Sequence, residues 1–529
     1  MISLERTIKS NLLKIAFFMA ARIKIPARIA GFRSILTALM TGYLFLFSAK
    51  MRHQTFVLPC GRSDGLVQGE CAVRFLPLSR VYFPKIWYIC SQYADSNSRF
   101  NMKQLIYNSL RMLLASLFFV SLSASCQNRA AKTDRPYSTT TQKLVDLVEH
   151  DSRIKSLLSE AIEKGRKINP DPSTNPAQSL EAYYDFIDRS QTAMPWDVIF
   201  CPGQPSIFGR MYQALCYCYF INCMPLESLE NESLFTNSVQ YVEPYRSWLV
   251  DYCKSWGSFL SSPVSWNKEY EALMMQQEEL GMTKGWYEDP SNWHSFNDFF
   301  SRRLASADQR PIASPEDNSI VASPADCIPQ GVWAIDDDSY IITDRKIAVK
   351  SRVFNSVRNL IGPDSPYCDA FAGGTFYHAF LNANDYHRYH FPLSGVIREL
   401  RVIPGDDALG GKITWEPDLQ QYVVDCSVPG WQSIETRGLA IIETESHGLV
   451  AVMPIGMSQV ASVNFSEDLY VGKRVEKGDE LGYFLFGGSD FVLVFQKDAD
   501  FRLTSPQDGT GAWQHILMGE KLGELKAVR

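Results

Sequence analysis

From Thr141 to Lys164, apolar residues return every three or four positions: Leu144, Val145 and Val148, then Ile154, Leu157, Leu158 and Ala161. That spacing predicts an amphipathic helix with one buried face. The breaker-rich stretch NPDPSTNP at 169–176 closes the pattern. A second helix is predicted over Tyr245–Leu260, where Trp248, Tyr252 and Trp256 share a face. A third covers 295–304, SFNDFFSRRL, with Ser295 as cap and Asp298 three residues on. Past Pro311 the period changes. YIITDRKIAVKS, GVIRELRVI, QYVVDCSV, LAIIETE, GLVAVMPIGM, ASVNF and FVLVFQ are short β-rich runs separated by Gly, Pro, Asp and Asn. The pattern predicts an α+β protein, with a mainly helical region over 141–305 and a β-rich domain of antiparallel sheets over 306–529.

The first 140 residues follow neither pattern. Residues 1–101 carry 14 Lys and Arg against 4 Asp and Glu, and no acidic residue falls between Leu12 and Ser48. The apolar run Ile35–Ser48 is short for a membrane span, and 1–101 reads as not being a folded domain. At Met102 a different plan begins. Lys103 and Arg111 precede an apolar stretch, Met112–Leu122, then the small residues Ser123, Ala124 and Ser125, then Cys126. That is the layout of a secretory signal. Small residues directly before a cysteine also resemble a bacterial lipobox, although Ser123 stands where a leucine is usual. The expectation is a start at Met102, a signal segment over 102–126 with Cys126 lipidated, and a polar tether over 127–140. The protein would then be exported or associated with a membrane surface; a plain transmembrane anchor is the alternative.

The net charge of −6 conceals +10 on residues 1–101 and −16 on the remainder. An acidic body offers no basic footprint for nucleic acid, and that class of partner is set aside. The twelve cysteines lack zinc-type paired spacing. Cys216, Cys218 and Cys223 in CYCYFINC come closest, but they lie in an aromatic run with no nearby histidine and read as core thiols. No metal site is expected.

Three clusters could carry chemistry: SPADC (323–327) with Asp326, DYHRYHFP (385–392) with His387 and His390, and FGGSD (486–490) with Gly488 and Ser489. His378, His387 and His390 are three of only eight histidines, and they fall within thirteen residues. A metal site could use His387 and His390 with Asp385 or Asp326, but the histidine pair is only half a site, with no HExxH motif or cysteine partner. A Ser–His–Asp hydrolase could use Ser489 as nucleophile, His390 as base and Asp326 as the orienting carboxylate. However, the strand-like FVLVFQ follows the serine, where a nucleophile elbow needs a helix. Self-processing is the third reading. The Ser489 hydroxyl would attack the Gly488 carbonyl, which a residue without a side chain lets it approach, with a base and an orienting carboxylate as before. Elimination would leave a pyruvoyl group in place of Ser489. That ketone can take up an amine and accept electrons from a departing carboxylate, as pyridoxal phosphate does. Any one histidine alone reads as a packing residue; the three clusters together point to chemistry.

The stretches FNDFFSRRL, RPIASPEDNSIVASPAD, GGTFYHAFLNANDYHRYHFPLSG, MPIGMSQVASVNF and VEKGDELGYFLFGGS resemble, in order and spacing, the phosphatidylserine decarboxylase family of pyruvoyl enzymes over about residues 290–500. The chain is also similar to the branch of that family that includes L-tryptophan decarboxylases, which carries an extra N-terminal helical domain. The resemblance implies a carbon–carbon lyase cut between Gly488 and Ser489 into a β chain and an α chain, the latter running from residue 489 to Arg529. It implies Asp326, His390 and Ser489 as the processing triad, a pyruvoyl cofactor made from Ser489, and His387 as the group that protonates the decarboxylated intermediate. The partner it implies is an amine-bearing carboxylate. A free aromatic amino acid such as tryptophan is the first expectation and phosphatidylserine the alternative; an unprocessed binding module or serine hydrolase stands behind both. Two residues depart from the family pattern. Asp490 stands where a threonine is usual, putting a carboxylate beside the future pyruvoyl, where it would slow processing, tune the cofactor or face solvent. Cys327 replaces a glycine and reads as a turn variant. His378 has no role in the resemblance and reads as a packing residue.

Overall fold

The predicted first helix is two helices. In the computed structural model, which describes residues 136–229, 237–343, 355–405, 412–425, 427–457 and 462–526, α1 spans Thr139–His150 and α2 spans Ser152–Ile168. Asp151 breaks the run by taking an extended conformation, and its carboxylate accepts from the backbone N–H groups of Arg153 and Ile154 at the start of α2. A residue that can cap competes with helix continuation. The apolar period survives the break, so Leu144, Val148, Ile154, Leu157 and Leu158 are all buried. Helices α3 (Leu180–Ser190), α4 (Ile207–Phe220), α5 (Tyr245–Leu260) and α6 (Lys268–Met274) complete the helical layer. Trp248, Tyr252 and Trp256 of α5 face inward as the pattern predicts. The Met102 start, the 102–126 segment and Cys126 lie outside the described residues.

The third predicted helix is shorter than 295–304: α7 spans only Phe296–Phe300. Its start is as read, with Ser295 Oγ accepting from Asp298 N and Asp298 Oδ2 accepting from His294 N. It stops because Arg302 turns inward. The buried guanidinium donates to the carbonyls of Leu280, Asn384 and Asp385, a geometry that a continuing helix would not reach.

Among the described residues fifteen strands follow: β1 Ile320–Ala322, β2 Ile328–Ala334, β3 Thr375–Leu381, β4 Arg388–His390, β5 Gly395–Ile403, β6 Lys412–Glu416, β7 Gln421–Asp425 and β8 Thr436–Glu443, then β9 Leu449–Met457, β10 Asn464–Phe465, β11 Arg474–Val475, β12 Glu480–Tyr483, β13 Gly488–Phe495, β14 Arg502–Leu503 and β15 Lys521–Glu524. Seven form one antiparallel sheet in the order β11-β5-β8-β9-β13-β3-β2. Two three-stranded sheets (β1-β15-β14 and β10-β12-β4) and the β6-β7 hairpin surround it. The fold is α+β.

Residues 130–529 form one compact unit, and the large sheet is covered on both faces. On one face Phe376, Met453, Val492 and Val494 join Trp256, Phe296 and Phe300 in a core shared with the helices. On the other, Tyr377, Ala379, Leu381, Phe491, Leu493 and Phe495 pack with Val321, Phe501 and Leu522. Each such side chain contributes about 1.5–3 kcal/mol of burial. Double-sided burial explains why FVLVFQ is a continuous apolar run and not an alternating one. The helical layer is tied to the β6-β7 hairpin by polar contacts as well. Asn169 Nδ2 donates to Tyr422 Oη, which donates to Thr174 O, and Gln213 bonds both backbone groups of Tyr422. Among the described residues no helix is long and apolar enough to cross a membrane.

Candidate active site

The glycine-serine pair lies at the head of the strand in the middle of the large sheet. Ser489 of β13 pairs with Gly456 of β9 on one side and Leu381 of β3 on the other, and Gly488 pairs with Met457. The chain reaches this point from β12 through a segment held from outside. Phe484 N donates to His387 O, and Phe486 N donates to Asn297 Oδ1 of α7. The Phe486 ring sits edge-on to Trp256, Phe296 and Phe300. Ser489 is buried, and its hydroxyl has no hydrogen-bond partner among the described residues. A buried hydroxyl left without a partner costs about 1–3 kcal/mol and calls for an explanation. A serine held free beside a glycine carbonyl is what self-cleavage needs, so the residues fit a pyruvoyl precursor.

The remaining predicted site residues gather around β4, but no hydrogen bond joins Asp326, His390 and Ser489 into a triad. Asp326 is clamped elsewhere. Arg310 Nε and Nη2 reach its two carboxylate oxygens at 3.0 and 2.7 Å, and Met518 N donates to Oδ1 at 2.8 Å. His390 contacts Gly478 O through Nδ1 at 2.8 Å and Tyr386 Oη through Nε2 at 3.2 Å. Burial holds its imidazole below the usual histidine range, against the pull of Glu480 and Asp326. His387, three residues earlier, is fully buried, and its ring stacks on Phe300 with centroids 3.8 Å apart. No aligned hydrogen bond reaches either ring nitrogen. Burial, then the charge of Arg302, hold it well below the usual range, so it is neutral.

The structure narrows two readings of the flanking residues: one of the three alternatives for Asp490 falls, and His378 is packed as read but also has a carboxylate neighbour. Asp490 does not face solvent and His378 is not only a packing residue. Both are completely buried, with His378 Nε2 at 2.7 Å from Asp490 Oδ2. The contact is an ion-pair distance without the alignment of a straight hydrogen bond. Gln432 Nε2 also donates to Oδ2 at 3.4 Å, and Phe491 N donates to Oδ1 at 3.0 Å. Burial pushes the Asp490 carboxyl up, with His378 pulling the other way. The pair was invisible in the sequence because the two residues sit on different strands, joined only through the β3-β13 register. Cys327 is buried and bridges to Ile516 just past the Pro324–Asp326 bend.

Four further polar residues belong to the site, Arg310, Tyr386, Asp385 and His515, of which only Asp385 had a reading in the sequence, as a possible metal ligand. The first three stand inside the quoted motifs, so a search for charged partners of Asp326 and His390 could have found them. His515 has no local signal; its Nε2 lies 2.8 Å from Asp385 Oδ1, which raises the imidazole against the effect of burial. Two cavities adjoin the region. One, of about 740 Å³, is lined by Ser301, Arg303, Arg388, Glu480, Tyr483 and Leu485 among others, beside the segment leading to Gly487. A smaller one of about 250 Å³ is walled by Tyr212 of α4, Phe380 and Asn382 of β3 and its following loop, and Val424 of β7. Among the described residues no cluster of His, Cys, Asp or Glu could hold a metal ion.

A family model described as phosphatidylserine decarboxylase matches residues 296–524. The chain is 32% identical over 244 residues to phosphatidylserine decarboxylase proenzyme 2 of Oryza sativa, covering 46% of this chain but only 36% of the rice protein. It is 31% identical over 287 residues to the phosphatidylserine decarboxylase proenzyme of Saccharophagus degradans, covering 51% of this chain and 91% of that protein. Similarity to the L-tryptophan decarboxylase of Psilocybe cubensis is 28% over 248 residues, 44% of this chain and 53% of that enzyme.

Proposed function

Since the chain belongs to the phosphatidylserine decarboxylase family, we propose that it is a carbon–carbon lyase that cuts itself between Gly488 and Ser489 and removes carbon dioxide from an amine-bearing carboxylate. The observation that carries this reading is the buried, unpartnered Ser489 hydroxyl directly after a glycine, at the head of a central strand. In the processing step Ser489 Oγ would displace the Gly488–Ser489 amide nitrogen, giving an ester and a free amine. Elimination would release Gly488 as a carboxylate, and water would replace the nitrogen, which leaves as ammonia. The pyruvoyl group so formed supplies an electron sink for loss of the carboxylate. Around it, His390 would take the Ser489 proton during cleavage once Tyr386 or the backbone moves to admit it. Asp326, locked by Arg310, would set the local field that favours a charged His390. His387, with no aligned hydrogen bond on either ring nitrogen, would take up and deliver the proton that replaces the carboxylate.

The sequence reading put a free amino acid first. The family match and the higher identities favour phosphatidylserine, and we take it as the leading substrate. The larger cavity, with Arg303 and Arg388 facing Glu480, suits a zwitterionic headgroup. A lipid anchor at Cys126 would keep the enzyme on the surface where such a substrate lies. A second reading, decarboxylation of a free aromatic amino acid, is favoured by the smaller cavity, which is about the size of one amino acid and is walled by Tyr212 and Phe380. Intact mass on purified protein tests the processing: a 41-residue C-terminal fragment with a blocked N-terminus is expected, absent in Ser489→Ala. Carbon dioxide release from phosphatidylserine vesicles and from L-tryptophan tests the substrate. Release from neither would reject both assignments.

A further inference from the structure

Side chains of a strand alternate between the faces of its sheet. Ser489 therefore shares a face with Phe491 and Leu493, while Asp490 turns to the opposite one with Val492 and Val494. On that side Asp490 meets a prepared set of partners. Its cross-strand neighbour on β3 is Phe380, and His378 lies diagonally two residues away, within the reach of long side chains. The His378 ring is confined between Trp431, edge-on at 5.9 Å, and Trp333 at 6.2 Å. Gln432 enters from the turn that follows Gly430, where its own Oε1 accepts from Gly430 N. Asp490 and His378 are both 0% exposed.

Stability alone does not account for this arrangement. Replacing both members of a buried polar pair with well-packed apolar residues is commonly neutral or stabilising, and the neighbouring positions on the same face, Val492 and Val494, are apolar. What distinguishes position 490 is its distance from the proposed cut. Before cleavage, residue 489 is fixed by the chain on both sides. After cleavage it becomes a chain terminus, and termini fray unless tied down. Residue 490 is the first whose side chain can then act as a tether: Phe491 N bonds its Oδ1 from within the new segment, while His378 on β3 and Gln432 in the Gly430–Gln432 turn meet its Oδ2 from outside the segment that the cut creates.

We propose that His378, Asp490 and Gln432 are positioning residues that hold the new N-terminus of the α chain in register, so that the pyruvoyl group stays at a fixed place in the site. The inference rests on the pyruvoyl reading and concerns the enzyme after cleavage. It separates two quantities that a general packing role would move together: the cut should proceed without the pair, and turnover should not.

The test uses the full chain, with Asp490→Ala, His378→Ala, Gln432→Ala and the shape-preserving Asp490→Asn. Expected in each is formation of the 41-residue fragment to the wild-type extent. In the two variants that remove the pair, kcat on the responding probe, phosphatidylserine vesicles or L-tryptophan, falls about 10- to 100-fold at a KM within about twofold, the signature of lost positioning. Asp490→Asn, which keeps the side chain's shape and an oxygen beside His378 Nε2, keeps more than half of the activity. The double variant Asp490→Ala with His378→Ala is no worse than either single one, as coupled partners require. Independently of activity, the amides of residues 490–492 exchange with deuterium faster in the alanine variants. A cleaved Asp490→Ala enzyme with wild-type kcat and exchange would overturn the proposal, and so would a folded Asp490→Ala chain that fails to cut. If Asp490→Ala and His378→Ala do not fold, Gln432→Ala is set against Asp490→Asn: faster exchange at 490–492 in Gln432→Ala alone is expected, and wild-type protection in Gln432→Ala counts against the proposal. Absence of the fragment from the wild type would instead be failure of the pyruvoyl reading.

Discussion

His387 and His390 lie three residues apart on one short stretch, yet the fold treats them in opposite ways. His390 is pinned, with a backbone carbonyl on one nitrogen and a tyrosine hydroxyl on the other. His387 has no aligned partner on either nitrogen and is steadied by a phenylalanine face and the nearby Asp385 backbone. Burial lowers the pKa of both, but only His387 lacks an aligned partner on its ring nitrogens. The lesson is that motif spacing identifies a pair while the environment divides the labour. A histidine fixed by hydrogen bonds defines a direction and a tautomer, and one left open defines an acid–base reserve.

The largest expected effect that would break this division is on cleavage. His390→Ala should slow formation of the 41-residue fragment by about 10²–10⁴, the usual loss for a general base, followed by intact mass over time; a normal rate would remove His390 from processing. Next, His387→Ala should cleave normally and lose about 10²–10⁴ in kcat, measured by carbon dioxide release; loss of cleavage would merge the two roles. Asp326→Asn leaves the buried Arg310 charge without its partner and should cost about 3–5 kcal/mol of stability, read from denaturant unfolding of the uncleaved Ser489→Ala background. Tyr386→Phe removes one contact from His390 and should cost about 1 kcal/mol while slowing cleavage less than tenfold.

The smallest effect is one of pH. The folded-state pKa of His387 lies well below its ordinary value of 6.5, so as pH falls past 6.5 the unfolded chain takes up the proton first. Its contribution is therefore fully present above pH 6.5 and is lost progressively below it. His390 and His447 act in the same sense, and His515, whose pKa is raised, acts in the opposite one. The unfolding midpoint should drop between pH 7 and pH 5.5, and the drop should be smaller in His387→Leu.

What the sequence revealed depended on how far apart the interacting residues were. The strand FVLVFQ, the double-histidine stretch and the α5 helix were legible because each is a contiguous pattern. The break at Asp151 was not, since an aspartate inside an apolar period is equally compatible with continuing and with capping until packing decides. Arg310 was in view within its motif, but its fork onto Asp326 depends on a loop conformation. The Asp385–His515 contact spans 130 residues, and the His378–Asp490 pair depends on strand register. Neither leaves a mark in any local window.

One consequence of the strand order concerns the history of the molecule. Were the chain cut at Gly488, the α chain would contribute β13, held between β9 and β3, and β15, paired with β1. Neither piece would then possess the whole of the seven-stranded sheet or of the β1-β15-β14 sheet. Only the uncut precursor carries the full instructions for folding, and the mature enzyme would preserve an arrangement that it could no longer rediscover. Heat or denaturant should therefore be reversible for Ser489→Ala and a one-way passage for the processed protein.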